Sequence, residues 1–228
     1  MKQIMVQHLV IDIIRKKIKN IYLRVCNSTG RIKVSAPIRA TEHTLREFLS
    51  TKVAWIESCL TAREPTLFYV TGETHYFNGN AYTLNVIDHP GRSKVILRAP
   101  YIDLYISPDK SALERQRRLE RWYRDHLFAT AMRLVATWQV IMQTNVVELN
   151  IKRMKTKWGT CNIAKRRIWL SLELAKKPLS CIEYVVVHEM VHLFERNHNK
   201  RFYALMDKYL TGWREKRKAL NTGVHDCM

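Results

Sequence analysis

At 228 residues the chain is long enough for one domain, or one domain with an attached subdomain, and for a sizeable core. A composition of 46% hydrophobic and 26% charged residues excludes disorder as the default, while 39 Lys and Arg against 20 Asp and Glu leave a net charge of +19. A field of that sign attracts polyanions (nucleic acid, nucleotides or an anionic membrane surface) and says nothing about fold.

From the N-terminus, MKQIMVQHLVIDIIRKK has no continuous apolar run and no small-residue cleavage site, which argues against a signal peptide. HLVIDII and IYLRVCNSTGRIKVSAP alternate apolar and polar residues, and Asn27-Ser28-Thr29-Gly30 predicts a hairpin turn. Thr41 opens a helical pattern that runs to Leu60, with Leu45, Phe48, Leu49, Ile56 and Leu60 on its apolar side. Short strands return in ETHYFNGNAYTLNVI, with a turn at Asn78-Gly79, and then in KVILRA and IDLYIS.

A long helix is predicted from about Ser111 to Gln143, polar in its first half and carrying Arg115, Arg117, Arg118, Arg121 and Arg124. VVELNIKRMKTKWGTCNIAKRRIWLSLEL then reads as two strands joined by a bend that contains Gly and Asn, with Trp158, Gly159 and Cys161 in the bend. Shorter helices follow in KRFYALMDKYL and WREKRKALN, and no internal repeat is visible. The longest uncharged run, Leu134 to Val147, is too short to cross a bilayer. Five cysteines without a CxxC pair suggest reduced thiols, hence a cytoplasmic protein with no membrane partner.

Between the last strand and KRFYALMDKYL lies SCIEYVVVHEMVHLFERNH, a core-like helix interrupted by polar residues. Ser180 with Glu183 fits a capping box, and Leu179 with Tyr184 a hydrophobic staple. His188 and His192, four apart, fall ~40° from one another on one helix face, so two imidazoles reach one point. Glu189 points about 100° away, toward the surroundings of the site rather than its centre. A catalytic Zn²⁺ takes three protein ligands and keeps one open position. His198 supplies the third if the helix ends before it, and Glu195-Arg196-Asn197 offers the turn, since Asn tolerates the left-handed conformation. Ordinary core histidines are the alternative, but polar groups inside VVVHEMVHLF are costly to bury without something to satisfy them.

Lys155-Thr156-Lys157-Trp158-Gly159-Thr160-Cys161, IWLSLEL, His188-Glu189-Met190-Val191-His192, His198 and Phe202-Tyr203 together resemble the YgjP-like metallopeptidase domain family, relatives of zincin-like and SprT-type metalloproteins. Thr160 stands where Ser is usual and Tyr203 where Trp is usual. The resemblance implies an α+β fold in which a zincin-like HExxH helix packs against a small sheet, with a β-rich N-terminal subdomain. We place that subdomain at 1–108, the zincin-like metal-binding subdomain at 109–222, and a frayed tail at 223–228. The resemblance further implies zinc on His188, His192 and His198, with Glu189 activating the water.

Trp158, Gly159 and Cys161 either line the cleft or form a turn with a buried indole and thiol. Cys161 as a fourth ligand would close the site into a structural one. Tyr203 is either a core aromatic or an oxyanion-stabilising hydroxyl. Three functions fit: a zinc hydrolase of metallopeptidase type acting on peptides; a metal-dependent nucleoside triphosphate pyrophosphohydrolase; and a basic nucleic-acid-binding module with structural zinc, making nonspecific contact through its basic surface. An intact Glu189 favours an enzyme.

Overall fold

The structure is a computed structural model that describes residues 2–26, 29–61 and 67–221. The chain forms two compact units; the second spans Leu67–Leu220, and Asn221 groups with the first. The second set of strands, placed by sequence in the N-terminal subdomain, shares its core with the helices and strands that follow it. The expected tail, 223–228, lies outside the described residues.

In the first unit, β1 (Lys2–Val6) and β2 (Leu9–Lys16) form a hairpin, and β3 (Tyr22–Val25) and β4 (Ile32–Pro37) form another. The predicted turn of the second hairpin contains Asn27 and Ser28, which lie outside the described residues; Gly30, at φ 68°, donates its N–H to the Cys26 carbonyl at 2.7 Å. β2 and β4 pair in parallel, giving the order β1-β2-β4-β3. Alternate residues of the sheet (Ile4, Ile11, Ile13, Val34) bury against Leu45, Leu49 and Ile56.

The single helix expected from Thr41 is two, α1 (Glu42–Ser50) and α2 (Val53–Thr61). Thr41 caps α1 by accepting the Thr44 N–H. At the break, the Ser50 and Thr51 hydroxyls donate back to the Arg46 and Phe48 carbonyls, the competition that disfavours these residues inside helices.

The second unit begins with the same sheet. β5 (Thr74–Phe77), β6 (Asn80–Asp88), β7 (Lys94–Arg98) and β8 (Tyr101–Ile106) stand in the order β5-β6-β8-β7, with an antiparallel pair on each side of a parallel one. Each sheet is followed by a helix with a Thr or Ser N-cap. The sequence shows no repeat because strand pairing constrains the alternation of apolar and polar residues, not their identity.

The following helix, α3 (Ala112–Met142), matches its prediction closely. Ser111 and Glu114 close a capping box, and Gln143 ends the helix in the left-handed conformation. Leu119, Tyr123, Leu127, Ala131, Val135, Trp138 and Met142 bury one stripe of α3 in a core shared with Leu84, Ile102 and Leu104.

The third sheet has three strands rather than the two expected: β9 (Glu148–Lys152), β10 (Gly159–Asn162) and β11 (Arg167–Ser171), in the order β10-β11-β9. The segment read as a bend is itself an edge strand, antiparallel to β11. A 3-10 turn, Leu172–Lys176, leads to α4 (Leu179–Val191), which packs on β10 and β11; α5 (Lys200–Tyr209) and α6 (Trp213–Asn221) complete an α+β fold. Among the described residues no helix is long and apolar enough to cross a membrane. Cys161 and Cys181 are free thiols, but Cys59 is disulfide-bonded, against expectation. Pairing made through the fold leaves no spacing signal in the sequence.

α4 starts differently from its prediction. Pro178, with φ fixed near −55°, occupies the N-cap, and its carbonyl accepts the Cys181 and Ile182 N–H groups. Ser180 is therefore inside the helix, and Glu183 pairs with Lys216 at 2.7 Å instead of closing a capping box. Pro178 is held by the β5–β6 turn: a Cβ on Gly79 would meet its Cγ at 2.7 Å, and the Asn78 and Gly79 amides donate to Ala175 and Lys176. Gly79→Ala should lower stability by roughly 2–3 kcal/mol, from left-handed strain plus overpacking. Gly72→Ala, also at positive φ but with nothing within 4 Å, should lose only about 1 kcal/mol, both read from denaturant midpoints.

Candidate metal and active site

α4 carries its polar residues to the end of a buried helix. Tyr184, Val185, Val186, Val187, Glu189, Met190 and Val191 are all buried, and His188 and His192 are half-buried. The helix stops at Val191, with His192 as its C-cap in a right-handed conformation. The reversal does not use a left-handed Asn197, as expected; Leu193 and Phe194 donate to Met190 and Val191 in tightening turns, and the Glu195 side chain accepts the Asn197 N–H. Asn199 then caps α5 by accepting the Phe202 N–H at 3.0 Å.

This return brings His198 back. One nitrogen from each of His188, His192 and His198 lies within 4.8 Å of the others, and His188 and His198 approach Nε2 to Nε2 at 3.0 Å. Phe202, 1% exposed, lies under all three rings, its centroid 4.9, 4.8 and 4.6 Å from those of His188, His192 and His198. The His192 Nδ1 lies 3.0 Å from the Glu195 carbonyl, so Nδ1–H donation there leaves Nε2 with a free lone pair.

Burial pushes the His188 pKa down to about 3, and the neighbouring His192, His198 and Arg217 push the same way; His198 is also lowered, by burial first and then by His192 and Arg217. Both shifts favour the neutral form of His188 and His198, the form that can hold a metal. Their 3.0 Å approach allows an N–H···N hydrogen bond, and a tetrahedral ion with bonds of ~2.0–2.1 Å would hold two nitrogens at the similar spacing of about 3.3 Å. The donor set fits a borderline metal such as zinc.

Glu189 stands on the adjoining face of α4, 6% exposed, and burial pushes its carboxyl up to about 8, with the Lys157 charge opposing. It lies against the edge strand: a Cβ on Gly159 would fall 2.6 Å from its Oε1 and 2.8 Å from its Cγ. Gly159 is thus a close-approach glycine that sets the HExxH helix on β10. Cys161, two residues on, has its thiol raised to about 11 by burial and then by Glu189. Among the described residues it is not part of the histidine group.

Trp158 is half-buried under the Lys177 ammonium, 5.6 Å from its ring, and its carbonyl accepts the Ser171 N–H. Tyr203 stacks on Trp213 (5.7 Å, 10°), which stacks in turn on Tyr184 (6.2 Å, 7°), whose edge meets His188 at 5.7 Å. Sequence reasoning missed this stack and the place of Arg217. The only signals were the four-residue spacings of Tyr184 to His188 and of Trp213 to Arg217.

An HExxH helix laid on a small sheet, with a third imidazole returned by the next turn, defines the class: a metal-dependent hydrolase. The model of the YgjP-like, metallopeptidase domain matches residues 19–223, and the chain belongs to that family. No curated protein matched the sequence. Among solved structures, the metallopeptidase zymogen of Pyrococcus abyssi abylysin is 18% identical over 40% of this chain and 92% of that chain, with a TM-score of 0.38; the assignment rests on the family match rather than on this likeness.

Gly159→Ala should leave metal content unchanged while lowering hydrolysis about 10²-fold or more, because the added methyl displaces the Glu189 carboxylate. Elemental analysis and turnover on the same preparation check it.

Proposed function

We propose that this protein is a zinc peptidase in which His188, His192 and His198 hold the metal and Glu189 is the general base. The observation that carries the reading is the convergence of three imidazoles within 4.8 Å, with a buried carboxylate on the adjoining face of the same helix. Zinc held there would polarise a scissile carbonyl and lower the pKa of water toward ~7.

The protein residues do the rest. Glu189 accepts the proton of the attacking water and returns it to the leaving amine; its burial makes it a stronger base than a solvated carboxylate, and the Lys157 charge opposes that shift. The Glu195 carbonyl orients His192, and Phe202 excludes water from beneath the three rings.

A peptide substrate is favoured over a nucleotide because β10 is an edge strand whose Gly159 end touches Glu189. An extended peptide can add to that edge through main-chain hydrogen bonds, which would carry its scissile bond past the carboxylate. No Gly-rich phosphate loop precedes a helix anywhere in the sequence.

Purified protein should contain about one zinc per chain, and the His188→Ala, His192→Ala and His198→Ala variants should each lose it. Equal zinc in the His198 variant would remove that residue from the ligand set.

Glu189→Gln should keep zinc and fold but lower peptide hydrolysis by about 10²–10⁴-fold, since an amide cannot accept the proton. Retained turnover in that variant would place the base elsewhere.

A further inference from the structure

The sheet of the first unit has two unlike faces. Ile4, Ile11, Ile13 and Val34 turn toward the helices, while Gln3, Asp12, Lys33 and Arg24 stand side by side in one row of the opposite face. The row on one side of them is Ile14, Ser35 and Tyr22. On the other side Met5 pairs with Val10, and Arg31, whose carbonyl accepts the Cys26 N–H, continues that row two residues before Lys33. This face is open: Tyr22 is 58% exposed, and Met5, Val10, Arg24, Arg31 and Lys33 are exposed with it. Asp12, the acid of the row, is buried and accepts the Gln3 amide at 2.8 Å.

Charge divides as the faces do. The other acids of the described part of this unit, Glu42, Glu47 and Glu57, lie on α1 and α2, where Glu42 meets Lys2 and Arg46, Glu47 meets His43, and Glu57 meets His8. On the open face, Arg24, Arg31 and Lys33 form no ion pair among the described residues. Lys16, Lys17 and Lys19, exposed where β2 ends and the chain turns toward Tyr22, form none either. Lys33 and Arg24 stand directly opposite each other across β4 and β3, a like-charge pairing that by itself destabilises a sheet. A polyanion laid on the face removes that repulsion.

We propose that this open face of the N-terminal sheet binds single-stranded nucleic acid, with phosphates along Arg24, Lys33 and Arg31 and a base stacked on Tyr22. Lys and Arg gain affinity for a phosphodiester backbone by releasing its counterions, and an exposed aromatic ring among them stacks on any base. Four strands at a spacing of ~4.8 Å make a platform about 14 Å across, which suits an extended strand with splayed bases. A duplex is entered by a helix or a two-stranded ribbon rather than by a broad sheet. A lipid surface fits less well, because the polar Gln3–Asp12 pair lies in the middle of the face and would have to be desolvated, whereas the exposed Gln3 amide can bond a base edge. The surface is separate from the histidine site and does not depend on its chemistry.

The test is fluorescence anisotropy of a labelled oligothymidylate, and of an oligouridylate of the same length, titrated with the full chain at several salt concentrations. Both should bind. The Arg24→Gln, Arg31→Gln, Lys33→Gln triple variant should lose about 10²-fold in affinity at 0.1 M salt, and its slope of log affinity against log salt should flatten by about 2, at ~0.7 for each phosphate contact removed. Tyr22→Ala should lose about tenfold with the slope unchanged. The Arg117→Gln, Arg133→Gln, Lys165→Gln variant, which removes the same charge from exposed positions of the second unit, should bind as the parent does.

Absence of binding, an equal loss in the second-unit variant, or an unchanged salt slope in the sheet variant overturns the proposal. Full affinity in Tyr22→Ala overturns the stacking contact, and tighter binding of a duplex of the same length overturns the single-strand assignment. Phosphatidylserine vesicles that displace the oligonucleotide from the parent but do not bind the sheet variant overturn the choice of nucleic acid over a membrane.

Discussion

The close approach of the Glu189 side chain to Gly159, where a Cβ would not fit, is the constraint on which the rest of the site depends. A carboxylate this deeply buried is expensive to ionise, and the protein surrounds it with β10 on one side and the apolar body of α4 on the other. With hydrogen as its only side chain, Gly159 lets the helix lie close enough on the sheet for the carboxylate to reach the strand edge. Any larger residue would separate helix from strand, and with them the Glu189 carboxylate from the strand edge.

The same economy of solvent governs the imidazoles. His188 loses its charge to burial, and His198 is pushed the same way, while the Phe202 ring closes the space beneath all three histidines. Convergent nitrogens that, on His188 and His198, are biased against protonation suit a metal ion. The stack of Tyr184, Trp213 and Tyr203 ties α4, α5 and α6 into one support behind them, so the turn that returns His198 is anchored from both ends.

Farther out, the β5–β6 hairpin holds the start of α4. Its Asn78-Gly79 turn donates two amides to the 3-10 segment and presses on Pro178, so the entry of the helix is fixed by backbone contact rather than by a side-chain cap. The sheet that carries this hairpin repeats the topology of the N-terminal one. In the first unit the turn that corresponds to it is Gln7-His8, without a glycine, so the device belongs to the unit that carries the site.

Much of this was legible in the chain alone. The long helix ended within a residue of its prediction because Ser111 and Gln143 mark its ends chemically. HExxH followed by His198 announced a three-nitrogen centre because helix geometry converts a four-residue spacing into proximity. Local rules failed where tertiary contacts decide. Pro178 displaced Ser180 as the cap because a hairpin distant in sequence holds it, and WGTCN became a strand because β11 offered it a partner. The boundary at 66/67 and the bond at Cys59 follow from which surfaces meet in three dimensions. Residue types and spacings fixed the chemistry available to this protein; the packing of β10 and α6 on α4 decided which groups that chemistry faces, because burial and charge act through space and not along the chain.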